Sequence, residues 1–149
     1  MSSGEKKIAS LDEMRMYAHD LTRELQGGQI LLLRGELGAG KTTLVQGIAA
    51  ALGVAADLTS PTFTIMGEYA ATLHPTITRL VHLDLYRLTA EQAQQDALID
   101  EVISDATEPA TITIIEWADR LGDKIPITAR QLLLRHGDTP QERIISLEG

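Results

Sequence analysis

The stretch Gly35-Glu-Leu-Gly-Ala-Gly-Lys41-Thr42 fits G-x-x-x-x-G-K-[ST] at every fixed position. Glycines at this spacing let successive backbone N–H groups converge on phosphate oxygens, and a helix starting at the lysine adds the positive end of its dipole. The lysine then reaches the β- and γ-phosphates, and the hydroxyl after it ligates Mg²⁺. The loop thus nominates Glu36, Gly38, Ala39, Gly40, Lys41, Thr42 and Thr43 for nucleotide binding, Lys41 for catalysis and Thr42 for the metal. An ordinary strand-to-helix turn with a solvated lysine is the competing reading. The flanking sequence disfavours it, because Gln29 to Arg34 is a short apolar run without helical periodicity, and Lys41 to Leu52 reads as a helix closed by Gly53.

A phosphate-binding loop alone binds nucleotide; hydrolysis also needs a carboxylate near the Mg²⁺ and a group that orients the attacking water. Glu116 follows the β-branched run Thr111 to Ile115 and would emerge at the carboxyl end of a buried strand, where an idle charge is costly. Asp84 lies in Val81-His-Leu-Asp-Leu-Tyr86, whose alternation sets Val81, Leu83 and Leu85 on one face and His82, Asp84 and Tyr86 on the other. Either acid is placed for the task, and either could be a plain surface acid. Thr59 to Thr64 is rich in hydroxyls and falls where a loop sensing the γ-phosphate belongs, although its composition alone says only turn. Trp117, the single tryptophan, is read first as a core anchor, with stacking on a ligand as the second reading.

The elements that must hold these groups follow from periodicity. Ser10 to Glu13 has capping-box spacing, and Leu11, Met14, Ala18, Leu21 and Leu25 recur at helical intervals up to Gly27-Gly28. Phe63 to Tyr69 and Arg79 to Tyr86 read as a hairpin around His74-Pro75. Ala90 to Asp105 reads as one helix with a Leu98, Val102 and Ile103 face, and Gln131 to Arg135 and Arg143 to Leu147 as two further strands. Alternating strands and helices around a glycine-rich turn predict an α/β fold: a single P-loop NTPase domain over residues 1–149, with a mostly parallel central sheet, an added antiparallel hairpin and helices on both faces. The polar residues 1–7 are expected to be flexible.

Composition narrows the function. With 149 residues, 44% of them hydrophobic, the chain can bury one ordinary core. The absence of cysteine excludes disulfides, thiolate metal sites and a cysteine nucleophile. His19, His74, His82 and His136 lack metal-ligand spacing and are read as surface or packing residues. No signal-peptide or membrane-spanning run is found, so a cytoplasmic location and no membrane partner are expected. The net charge is −8; Met1 to Ala56 carries six acids and six bases, so the excess lies beyond it. Without a basic stripe, unaided nucleic-acid binding is disfavoured. Ala90 to Glu108 holds six acids and no base, read as a solvated face before a docking surface for a basic partner.

Four segments taken together, GELGAGKTTLVQGIAAALGV, TSPTFTIMGEY, HLDLYRL and IIEWADRLGDKIP, in this order and spacing, closely resemble the TsaE (YjeE) family from about Ile8 to the C-terminus. The resemblance implies a small ATPase needed for threonylcarbamoyladenosine (t6A) at position 37 of tRNA, with ATP and Mg²⁺ as cofactors and a TsaB–TsaD complex as protein partner, tRNA being met only through those partners. It further implies that the acid matching Glu116 ligates Mg²⁺ and that the acid matching Asp84 serves the catalytic water or the nucleotide. The segment Ala90 to Asp105 departs from the family pattern, in which a glycine commonly divides two short helices. A small-molecule kinase is the alternative, but it needs an Arg-rich lid, and between Gly53 and Glu116 only Arg79 and Arg87 are available. A non-enzymatic nucleotide-dependent scaffold would share the binding residues and lack turnover.

Overall fold

The computed structural model describes residues 4–35, 39–55, 65–126 and 128–148. Seven strands, β1 (Gly4–Ile8), β2 (Ile30–Gly35), β3 (Met66–Ala70), β4 (Arg79–Asp84), β5 (Thr111–Glu116), β6 (Arg130–His136) and β7 (Arg143–Glu148), form one sheet in the order β1-β7-β6-β2-β5-β4-β3. The central four, β6, β2, β5 and β4, run parallel; β3 closes one edge antiparallel, and β7 and β1 the other. The helices are α1 (Leu11–Glu24), α2 (Lys41–Ala51), α3 (Ala90–Gln95) and α4 (Ala97–Asp105), with a 3₁₀ segment at Ala118–Lys124.

Alternation along β2 explains the layering. Leu31 and Leu33 join Met14, Ala18 and Leu21 of α1 and Leu44, Val45 and Ile48 of α2 in one core, while Ile30 and Leu32 join Ala93 of α3, Ile99 and Val102 of α4 and Leu121 in the other. A strand apolar on both faces must be covered on both, so the sheet carries helices on each side.

Three expectations change. Within the residues 1–7 expected to be flexible, Gly4 to Lys7 form with Ile8 an edge strand paired with β7; four of its five residues are exposed, so no apolar alternation announces it and the pairing comes from β7. The single helix over Ala90 to Asp105 is two, because Asp96 takes an extended conformation (φ −78°, ψ 118°), closes α3 and caps α4 by accepting from the Leu98 and Ile99 N–H groups. That break turns the α4 face: Ile99 and Val102 are buried and Leu98 is half exposed. Leu11, counted in the apolar stripe of α1, is exposed at the first position of that helix.

Candidate active site

The carboxyl ends of the parallel strands and the start of α2 meet in one place. Gly40 adopts φ +98°, a left-handed conformation that suits glycine, and turns the chain into α2. Gly35, at the end of β2, lies so close to β6 that a Cβ would stand 2.7 Å from the Leu134 carbonyl oxygen. α1, α3 and α4 are capped by the side chains of Ser10, Thr89 and Asp96, whereas among the described residues no side chain caps α2 and no acid sits in its first turn. The N–H groups opening α2 are thus left for an anionic ligand. Ala39 is buried, Gly40, Lys41 and Thr43 are half-buried and Thr42 is exposed. Glu36 and Gly38, and the hydroxyl-rich segment Thr59 to Thr64, lie outside the described residues.

Lys41 Nζ lies 4.7 Å from the centroid of the Trp117 ring, which joins the start of α2 to the end of β5. Trp117 has φ +60°, the one positive φ among the described non-glycine residues, and such a conformation costs about 1–2 kcal/mol for an L-residue. The turn ends β5 at Glu116 and seats the indole between Lys41 and Arg120, whose Cζ is 5.2 Å from the ring, with Tyr86 at 5.1 Å. Trp117 also packs on the α3/α4 core, so it anchors that core and faces the site at once.

Asp84 and Glu116 occupy paired positions on the neighbouring parallel strands β4 and β5, and Glu116 pairs with Leu33 of β2 on its other side. Glu116 is buried, as expected of an acid at the end of an inner strand, and it accepts a 2.7 Å hydrogen bond from Nε2 of buried His82. Asp84 is half-buried and accepts from the Tyr86 N–H at 3.1 Å. Burial, joined by the nearby negative charge of Glu116, pushes the Asp84 carboxyl above its ordinary value; the Tyr86 N–H, His82 and Lys41 pull the other way. The groups brought together are therefore Lys41, His82, Asp84, Glu116 and Trp117. His82, expected as a surface or packing residue, is buried and bonded to Glu116; its alternation onto the face of Asp84 is the sequence signal for that.

The donor set suits Mg²⁺. The candidate ligands, Thr42 and Glu116, offer oxygen, the preference of this hard cation, and no cluster of three or more metal-binding side chains exists among the described residues. Magnesium is commonly held by one or two protein oxygens together with phosphates and water rather than by an all-protein cage. On the other flank of α2 a cleft of about 690 Å³, lined among others by Ser10, Arg15, Gly40, Thr43, Gln141 and Arg143, is large enough for a nucleoside. Arg79, one of two arginines a kinase lid could use, begins β4 and is paired with Glu68, about 16 Å along the strand from Asp84.

A family model described as "Threonylcarbamoyl adenosine biosynthesis protein TsaE" matches residues 8–145. The chain belongs to the TsaE family. Among curated TsaE relatives named as tRNA threonylcarbamoyladenosine biosynthesis proteins, that of Synechocystis is 40% identical over 121 residues, covering 80% of this chain and 73% of its own length. That of Streptomyces coelicolor is 37% identical over 137 residues, covering 87% and 84%. The crystal structure of Bacillus YdiB superposes with a TM-score of 0.73 at 25% identity, covering 98% of this chain and 84% of that one. Among the described residues of this TsaE chain, no helix is long and apolar enough to cross a membrane.

Proposed function

We propose that this chain is the Mg²⁺-dependent ATPase component of tRNA t6A synthesis, a P-loop NTPase working in the cytoplasm with TsaB- and TsaD-type partners. The observation that carries the reading is that Lys41, at the start of α2 where no described side chain caps the helix, lies within electrostatic reach of Asp84, whose partner on the neighbouring strand is Glu116. The N–H groups opening α2 and the Lys41 ammonium bind the β- and γ-phosphates, and Lys41 leaves the Trp117 ring to do so. Thr42 and Glu116 would hold Mg²⁺, which when bound offsets the charge on the transferring phosphoryl group. Asp84 accepts a hydrogen bond from the attacking water and so orients it. The nucleoside end takes the cleft beside Gly40 and Thr43.

Partners and tRNA come from family membership and charge together: with −8 net, the chain meets tRNA through the complex rather than directly. Association with that complex is expected to favour ATP over ADP. A phosphoryl-transfer kinase is less well served, since Arg79 is spent on Glu68 at the far end of β4. Lys41→Ala tests the reading: in a folded variant, binding of ATP should fall by about a hundredfold or more and turnover should vanish, the loss expected when a charge-assisted phosphate contact is removed. Unaltered hydrolysis in that variant would sink the assignment.

A further inference from the structure

We propose that His82 is a positioning residue for the metal-binding carboxylate, holding Glu116 Oε2 so that its other oxygen is presented in one fixed direction. The inference rests on the reading of Glu116 as a Mg²⁺ ligand and names the group that makes it a rigid one.

On parallel β4 and β5, His82 stands opposite Ile114 and Asp84 opposite Glu116, so the imidazole lies two residues upstream on the same sheet face. It reaches diagonally along that face to donate from Nε2 at 2.7 Å. Their side chains are only 5% and 8% exposed, so water contributes little to fixing the carboxylate. The neighbouring groups are committed elsewhere, Asp84 to the Tyr86 N–H and Lys41 to the Trp117 ring. A carboxylate with one oxygen tied offers the other at a set angle, which matters for a cation that demands near-octahedral geometry. Partners of this kind behind a metal ligand characteristically carry a 10–100-fold share of metal affinity.

The test separates metal affinity from fold and from phosphate binding. Binding of a non-hydrolysable ATP analogue is measured by calorimetry with and without Mg²⁺ for the unmodified chain, His82→Leu, His82→Gln and Glu116→Gln, with a thermal melt of each. His82→Leu should keep metal-free affinity within about twofold and raise the half-saturating Mg²⁺ about tenfold or more, while His82→Gln, whose amide can donate to Glu116, should recover most of the loss. Unchanged Mg²⁺ dependence in folded His82→Leu would overturn the proposal, and so would an equal loss of metal-free and metal-bound affinity. Should His82→Leu not fold, His82→Gln against His82→Asn decides: the longer amide must lie nearer the unmodified chain, and equal Mg²⁺ dependence would overturn the proposal. The Glu116→Gln arm isolates the underlying reading. If that variant shows normal Mg²⁺ dependence, Glu116 is no ligand; if it shifts and His82→Leu does not, only the positioning role fails.

Discussion

Strand β4 carries a pairing of a basic with an acidic side chain toward each end, Arg79 with Glu68 and His82 with Glu116, and the two differ sharply in burial. At its amino end Arg79 meets Glu68 across the hairpin, with the side chains 28% and 52% exposed. Near its carboxyl end His82 meets Glu116 with almost no exposure, and half-buried Asp84 stands alongside. An exposed pair is worth a fraction of a kcal/mol and is screened by salt, whereas burying charged or polar groups costs more than such a pair returns unless geometry and hydrogen bonds offset it. The amino end therefore fastens an edge strand, and the carboxyl end keeps an arrangement that stability alone would not select.

The largest effect that breaks this contrast is expected from Glu116→Gln. The amide keeps the shape and removes the anion, so Mg²⁺-dependent hydrolysis should fall about a hundredfold or more while nucleotide affinity stays within about tenfold, read by phosphate release and by nucleotide titration. Asp84→Asn should lower hydrolysis by about a hundredfold, the lower end of what a positioned acid–base group contributes, with a smaller effect on Mg²⁺ affinity. Normal turnover by Asp84→Asn, with the partner proteins present, would return Asp84 to the surface.

Asp84 also sharpens the comparison through pH. Burial raises its carboxyl above the unfolded value, so the folded state holds this proton more tightly than the unfolded one. Its contribution is then most favourable below the ordinary carboxylate range, and is lost as pH rises from the unfolded value through the raised folded value. At neutral pH the ionised group is a cost to the fold that water screens in part because Asp84 is only half-buried, and Asp84→Asn should raise the melting temperature of the nucleotide-free protein by at most about 2 °C, a gain that disappears in acid. A melting difference independent of pH would refute the burial argument. The smallest effect belongs to the amino end: Glu68→Gln should cost less than about 1 kcal/mol in a denaturant titration and leave hydrolysis unchanged.

The two ends were unequally legible in the sequence. Local pattern fixes where Lys41, Thr42 and Glu116 stand in the fold: a glycine-spaced loop ahead of a helix, and an acid closing a β-branched run. It does not fix the His82–Glu116 hydrogen bond, since that depends on the register between strands 34 residues apart, which alternation within β4 does not supply. β1 has no local signal for the same reason, its partner lying at the other end of the chain. The break at Asp96 had a local signal, an acid with amide-capping ability inside a run of good helix formers, and helix propensity masked it. The left-handed turn at Trp117 had none, because a bulky residue there is disfavoured by intrinsic preference and is held by Lys41, Arg120, Tyr86 and the core beneath it.

The most direct measurement is a crystal structure of the chain with Mg²⁺ and a non-hydrolysable ATP analogue. The expected result is phosphates seated on the N–H groups opening α2, Lys41 moved from the Trp117 ring onto the β- and γ-phosphates, and a metal at about 2.1 Å from Thr42 Oγ1 with Glu116 beside it. A triphosphate bound away from α2, or a metal with neither Thr42 nor Glu116 near it, would contradict the assignment of the carboxyl end of the sheet as the active site.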